Sequence, residues 1–307
     1  MPFIKTLLAL ATLAASSPLA LLAQSSPAKG PFELTSALGR KLYALPDDPA
    51  VAAARTALAA DPKNPALALK LSKALAARRQ YNEAVATDTA ALASAPNNAD
   101  LYLERGHREL GLRHFKAAQA DLERAAQLDP AMLDAHYHLG LAHYFQGQFA
   151  EASEAFTRAR DLAKSAPQPA DSLIDCTNWL YVSLRRAGEE AEAAAAIARI
   201  TPDIKNTEPH LFFYLQLLHF YQGKLTGQAV LPPPPNPPGD LESELSFNTV
   251  NYGVGNWHLY HHDTPAALKL FRKVVQGEAW NSWGFVGSET DLLRSHPSRR
   301  PTVTVVH

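Results

Sequence analysis

This 307-residue sequence has one cysteine, two methionines and no excess of either charge. A single thiol, Cys176, cannot build an internal disulfide framework. Asp175 beside it would raise a thiol pKa, so Cys176 reads as buried and inert. Lys and Arg number 29 against 30 Asp and Glu, a net charge of −1. That balance argues against nucleic-acid binding and against unspecific attraction to membranes. There is no HExxH zinc motif, no GxSxG nucleophile elbow and no Walker-type phosphate loop. Gly253-Val254-Gly255 lacks the third glycine of a dinucleotide fingerprint and follows no strand, so a close helix–helix contact explains it. No catalytic residue, no enzyme activity and no cofactor is expected.

Long hydrophobic runs are equally scarce. The first residues, MPFIKTLLALATLAASSPLALLAQ, combine Lys5 with an uncharged Leu/Ala-rich stretch and small residues before Gln24. Residues 1–23 therefore read as a cleavable signal peptide, which implies a periplasmic or secreted protein; retention as an anchor is the other reading. Past Ala23 nothing approaches the roughly 20 apolar residues of a membrane span. Leu211–Tyr221 (LFFYLQLLHFY) is too short and carries Gln216 and His219, so the mature chain has no span.

A period is what the chain does contain. The stretch Ala99–Pro130 reads as two short helices joined by a tight turn, with Tyr102, Gly106 and Leu110 on one face of the first and Ala118, Leu122 and Ala125 on the second. Pro130 blocks further helix. The pattern recurs at 34 residues: Tyr81, Phe115 and Phe149; Ala84, Ala118 and Ala152; Ala91, Ala125 and Ala159; Ser72, Gly106 and Gly140; Pro62, Pro96 and Pro130. A hairpin this short cannot bury its apolar faces alone and must stack on copies of itself. Over Pro65–Lys164 these columns resemble the tetratricopeptide repeat family, whose period and helix–turn–helix pattern they share. The resemblance implies an all-α, right-handed superhelical solenoid, and it names no activity, because this scaffold serves many partners.

Along the chain, 24–30 is a polar Ser/Pro linker and 31–230 the solenoid. Its first repeat, Phe32–Pro62, is degenerate: Leu34, Leu38 and Leu42 make one helical stripe and Val51–Ala60 a second helix. Regular repeats occupy about 65–98, 99–132 and 133–166. The first of them carries Asp88 where the others have Leu122 and Phe156, and should be the loosest. Diverged repeats fill about 174–225, after an inserted Ser165–Ala170. The run 231–239 is a Pro-rich connector of polyproline II type, either stiff or a docking ligand. A tetratricopeptide-like hairpin and capping helix take 240–295, and 296–307 is a disordered tail in which Arg299 and Arg300, with Arg294 just before it, form a solvated basic end.

In the implied superhelix the first helices of successive hairpins build the concave wall. Lys73, His107, Tyr137, Leu141, Tyr144, Asn178 and Arg185 fall on that wall, spaced three or four apart within each helix. Exposed aromatic, His, Lys and Arg groups on one face suit recognition of a protein or peptide partner. Tyr137 and Tyr144 are expected to face solvent as anchors. Leu103 and His107 stand where the family's carboxylate clamp would need other polar groups, so chaperone-tail binding is not expected. Two rival readings stay open. One is a metal site on His258, His261 and His262, whose i,i+3 and i,i+4 spacing lets ligands converge. The other is a self-associating structural protein, a homo-oligomer.

Overall fold

The computed structural model describes residues 29–208, 211–236 and 239–295. The expected signal peptide 1–23, residues 24–28 of the expected linker and the expected tail 296–307 lie outside the described residues. Among the described residues, helices dominate and the only sheet is a short N-terminal hairpin of β1 (Phe32–Thr35) and β2 (Lys41–Tyr43). That hairpin corrects the helix expected from Leu34, Leu38 and Leu42. A spacing of four fits both a helical face and a strand's alternation. The local chemistry decides it: Ser36 Oγ accepts the N–H groups of Leu38 and Arg40, and Gly39 takes a left-handed φ of 84°. Leu34 then sits opposite Leu42.

From α1 (Pro49–Ala60) onward the chain is helical hairpins. The regular repeats are α2 (Pro65–Ala77) with α3 (Tyr81–Ser94), α4 (Ala99–Gly111) with α5 (Phe115–Leu128), and α6 (Leu133–Gln146) with α7 (Phe149–Ala163). Asp48, Asn64 and Asn98 cap α1, α2 and α4 through their side chains, and Pro49 and Pro65 open the helices they start. Then come α8 (Pro169–Ala187), α9 (Glu190–Ile197), α10 (Leu211–Tyr221) and the single turn α11 (Gly227–Val230). The long α12 (Leu241–Tyr260) pairs with α13 (Thr264–Val274), and α14 (Trp283–Ser295) ends the described chain.

The repeat columns are the packing seams. A Cβ on Gly106 would lie 2.8 Å from Leu122 Cγ, and one on Gly140 2.7 Å from Phe156 Cζ, so these glycines let the paired helices touch. In α2–α3 the same pair of positions is Ser72 and Asp88. Both are fully buried; Ser72 Oγ donates to Asp88 Oδ2 at 2.7 Å, and Asp88 Oδ1 meets no donor. Burial pushes the Asp88 carboxyl up to about 7. A carboxyl raised in the folded state loses stability as pH climbs from its unfolded value near 4 through 7. Asp88→Asn is therefore expected to match the wild type at pH 4 and to be more stable by roughly 1–3 kcal/mol at pH 8. Paired urea titrations at the two pH values check this, and an equal difference at both would refute the assignment.

One turn position runs through the repeats with a left-handed backbone: Arg79 (φ 60°), Arg113 (68°), Gly147 (84°), Gly188 (90°), Gly223 (72°) and His262 (62°). Glycine holds it at no steric cost, whereas arginine holds it only under strain. Three of these turns serve as docking points for the C-terminal segment, so the superhelix closes on itself. Arg79 Nη1 donates to Glu278 O at 2.8 Å. Arg113 donates to Trp280 O and to Glu289 Oε2, both at 2.9 Å. Arg294 reaches Tyr144 O (3.1 Å) and Phe145 O (2.6 Å) beside the Gly147 turn. Arg294 is thus a half-buried strut of the closure and not part of a solvated basic end; Arg299 and Arg300 lie outside the described residues. The N-terminal hairpin joins in: Trp280 Nε1 donates to Tyr43 O, and Trp280 packs with Leu42, Tyr81 and Phe285.

Candidate functional site

Closure turns the concave wall into a partly covered space that stays open to solvent. Two cavities of about 470 and 390 Å3 lie between the first helices and α10, α12 and α14, and Tyr214 and Trp283 border both. Lys73 and His107 line the first, with Arg108, Phe213 and Glu242; Tyr137 lines the second, with His138, Asp134 and Asp175.

Between the lobes the rings of His107 and His138 lie 4.1 Å apart, with Trp283 5.3 Å from His107. His138 Nδ1 donates to Asp134 O at 2.8 Å. Burial pushes the His107 imidazole well below its ordinary value, and the neighbouring Arg108 and His138 add to this. Burial lowers His138 as well, so the pair is neutral near pH 7 and offers aromatic surface. Tyr137 donates its hydroxyl to Asp175 Oδ1 at 2.9 Å, and burial pushes that carboxyl up to about 7. On the basic side Lys73 is 62% exposed and 3.4 Å from Glu104, which also pairs with Arg108.

The other wall residues fall elsewhere. Leu141 and Tyr144 are fully buried in the main apolar cluster. Asn178 is buried at a narrow internal cleft beside Trp179 and Tyr252. Arg185 stacks over the Tyr260 ring at 4.5 Å and pairs with Glu190. The expectation of solvent-facing tyrosines is therefore corrected: Tyr137 is 7% exposed, packed on Phe156 and bonded to Asp175, and Tyr144 is not exposed at all, because α12 covers the face that an open superhelix would leave to solvent. Sequence reasoning missed Phe213, Tyr214 and Trp283 as wall residues. Their aromatic density was visible, but periodicity assigns them to packing.

The histidines at the other end do not converge. His258 Nδ1 donates to Asp263 Oδ2 at 3.0 Å, His261 lies on the Trp257 ring and donates to Trp257 O, and His262 occupies the left-handed turn. Among the described residues no group of three or more His, Cys, Asp or Glu side chains is placed to hold a metal ion. Cys176 is buried, and burial with Asp175 alongside pushes its thiol well above the ordinary value, away from nucleophilic use. No described helix is long and apolar enough to cross a membrane.

Stacked helical hairpins around a lined concave space define a helical-repeat interaction scaffold. Residues 103–167 match the family model of the tetratricopeptide repeat, so the chain carries tetratricopeptide repeats over that stretch. It is 33% identical over 96 residues to the small glutamine-rich tetratricopeptide repeat-containing protein 2 of Saccharomyces cerevisiae, covering 31% of this chain and 28% of that protein. It is 33% identical over 86 residues to DnaJ homolog subfamily C member 7 of Mus musculus, covering 28% of this chain and 17% of that protein. The chain thus spans less than a third of the length of either relative. Among solved structures, MamA shares 22% identity with a TM-score of 0.43 over 57% of this chain and 90% of its own. YrrB, described as a TPR protein with an unusual peptide-binding site, shares 16% identity with a TM-score of 0.45 over 74% and 93%.

Proposed function

We propose that this protein is an exported scaffold without catalytic activity that takes a protein or peptide partner in the two-lobed concave space. The carrying observation is the lining itself: the neutral His107–His138 pair and Trp283 form an aromatic centre, with the Lys73 side on one flank and the Asp134/Asp175 side on the other. Aromatic surface flanked by the Lys73 ammonium on one side and the exposed Asp134 carboxylate on the other gives contact area and register for a peptide. Of the wall residues named from the sequence, Lys73, His107 and Tyr137 line this space. Export rests on Lys5 and the apolar run that follows it, and places the mature chain in the periplasm or outside the cell.

The test is a photoreactive amino acid installed at Lys73 in the full-length protein, expressed in its native cell and irradiated. Mature protein beginning at Gln24 should carry a discrete polypeptide adduct. His107→Ala should cut the adduct yield several-fold with little change in melting temperature. Absence of any polypeptide adduct, or a yield indifferent to His107→Ala, would sink the concave reading. Retention of Met1 in a membrane pellet would sink the export reading.

A further inference from the structure

The opposite side of α12 borders a second and larger space. Glu242, Leu245, Ser246 and Thr249 face the concave cavity, whereas Glu244, Phe247, Asn248 and Asn251 face a cavity of about 1050 Å3. The N-terminal hairpin, the Pro-rich connector and α13 complete its wall. Five basic side chains (Lys29, Arg40, Lys41, Arg79 and Lys273) line it against two acidic ones, Glu244 and Glu278. Both acids are already engaged. Glu278 pairs with Arg40 at 2.6 Å, and Glu244 Oε2 accepts the backbone N–H groups of Glu278 (2.6 Å) and Ala279 (2.5 Å).

Arg79 is the residue left over. It is 7% exposed, and it makes no ion pair with any Asp or Glu of the chain, all 30 of which lie among the described residues. Its hydrogen-bond partner is a neutral carbonyl, Glu278 O. Arg113, at the same turn position one repeat on, pairs instead with the Glu289 carboxylate at 2.9 Å. A buried cation with no directly paired carboxylate is costly, and here it also occupies a left-handed turn that other repeats give to glycine. Burial lowers the Arg79 pKa despite Glu244 and Glu278 nearby, the response of a cation short of negative charge.

We propose that this cavity is a second docking site, separate from the concave one, taken by an acidic peptide segment of a partner whose carboxylate pairs with Arg79. Its volume lies at the upper limit of the roughly 300–1,000 Å3 of small-ligand pockets, which favours a chain segment over a small anion. Lys41 and Lys273 are exposed at the rim and supply charge complementarity; Tyr43, Phe247 and the prolines at 232, 234 and 235 supply apolar contact. Because Lys41 belongs to the N-terminal hairpin and Lys273 to α13, the peptide would bridge the two ends of the superhelix.

The test is fluorescence anisotropy of a labelled oligoglutamate peptide titrated with the mature protein at low salt, with oligolysine as the charge-reversed control. Saturable binding of oligoglutamate alone, weakened by added salt, is expected. Arg79→Gly relieves the left-handed turn but removes the closure bond to Glu278 O, so the melting temperature should change little while binding weakens by roughly tenfold or more. Lys41→Glu with Lys273→Glu, on exposed positions, should weaken binding by a similar factor and decides the matter if Arg79→Gly fails to fold. Lys73→Glu, in the concave cavity, should leave binding unchanged. The proposal is overturned if the wild type ignores oligoglutamate, if the Arg79 or Lys41/Lys273 variants bind as well as the wild type, or if Lys73→Glu abolishes binding. Displacement by inorganic phosphate at concentrations below those of the peptide would overturn it in favour of a small-anion site.

Discussion

Asp291→Asn is expected to cost about 2–4 kcal/mol of stability, because it leaves two half-buried guanidinium groups without their buried counter-charge. Asp291 is 2% exposed. Arg186 grips it through two bonds of 2.9 and 3.1 Å, Arg294 donates at 2.6 Å, and the Tyr252 hydroxyl donates at 3.0 Å. Asparagine keeps the shape, removes the charge and turns a donor toward two guanidinium groups. Burial opposes the Asp291 charge, but Arg186 and Arg294 together hold its carboxyl below the usual carboxylate range. A lowered carboxyl stabilises the fold above its unfolded pKa near 4, and that contribution is lost as pH falls through the folded value. The gap between wild type and Asp291→Asn should thus be full at pH 7 and shrink in strong acid. Chemical denaturation across pH checks both size and trend. A deficit below about 1 kcal/mol at pH 7 would mean that α14 is not held by this cluster.

The sign here is opposite to that at Asp88, where burial wins and the carboxyl is raised. The two aspartates differ in what faces them. Asp88 receives one hydroxyl from Ser72, whereas Asp291 receives two guanidinium groups and a phenol. Sequence marked Asp88 as an anomaly, because it interrupts a column that Leu122 and Phe156 define. It could not mark Asp291, which belongs to no column and finds Arg186 across 105 residues.

That contrast describes what was legible more generally. Contacts within and between successive hairpins repeat every 34 residues, so Gly106 against Leu122 and Gly140 against Phe156 could be placed from spacing alone. The closure uses the repeated Arg79, Arg113 and Gly147 turns, but its partners Glu278, Trp280 and Arg294 lie on one C-terminal segment that does not repeat, so no period reveals the pairing. The N-terminal hairpin was misread for a different reason: Leu34, Leu38 and Leu42 satisfy two periods, and the Ser36–Gly39 turn that settles the choice lies between them, outside the stripe. At the candidate site, the wall positions Lys73, His107 and Tyr137 followed from helical phase. Which of the wall residues remain accessible depends on α12 and α14, and phase is silent on that.

Tyr144 carries the largest consequence of this covering. In an open superhelix it would be a dispensable surface anchor, and Tyr144→Ala would leave the fold intact. In the closed one it is fully buried, its ring edge-on to Phe149 and Trp179 at 5.2 and 5.3 Å. Its hydroxyl donates to Asn256 Oδ1 at 2.8 Å and lies 3.2 Å from the Tyr252 hydroxyl, whose own proton goes to Asp291. Truncation would remove the ring, open a cavity between α6, α8 and α12, and strip Asn256 and Tyr252 of a shared partner. Buried aromatic-to-alanine changes cost about 3–5 kcal/mol, so Tyr144→Ala should lower the melting temperature by roughly 10 °C. Tyr144→Phe keeps the ring and should cost only about 1–2 kcal/mol for the lost hydroxyl. Tyr137→Phe loses one bond, to Asp175 at the cavity wall, and should cost less than Tyr144→Ala by a wide margin. Thermal melts of the three variants give the ranking. If Tyr144→Ala melts with the wild type, α12 does not cover α6 in solution and the concave wall is open.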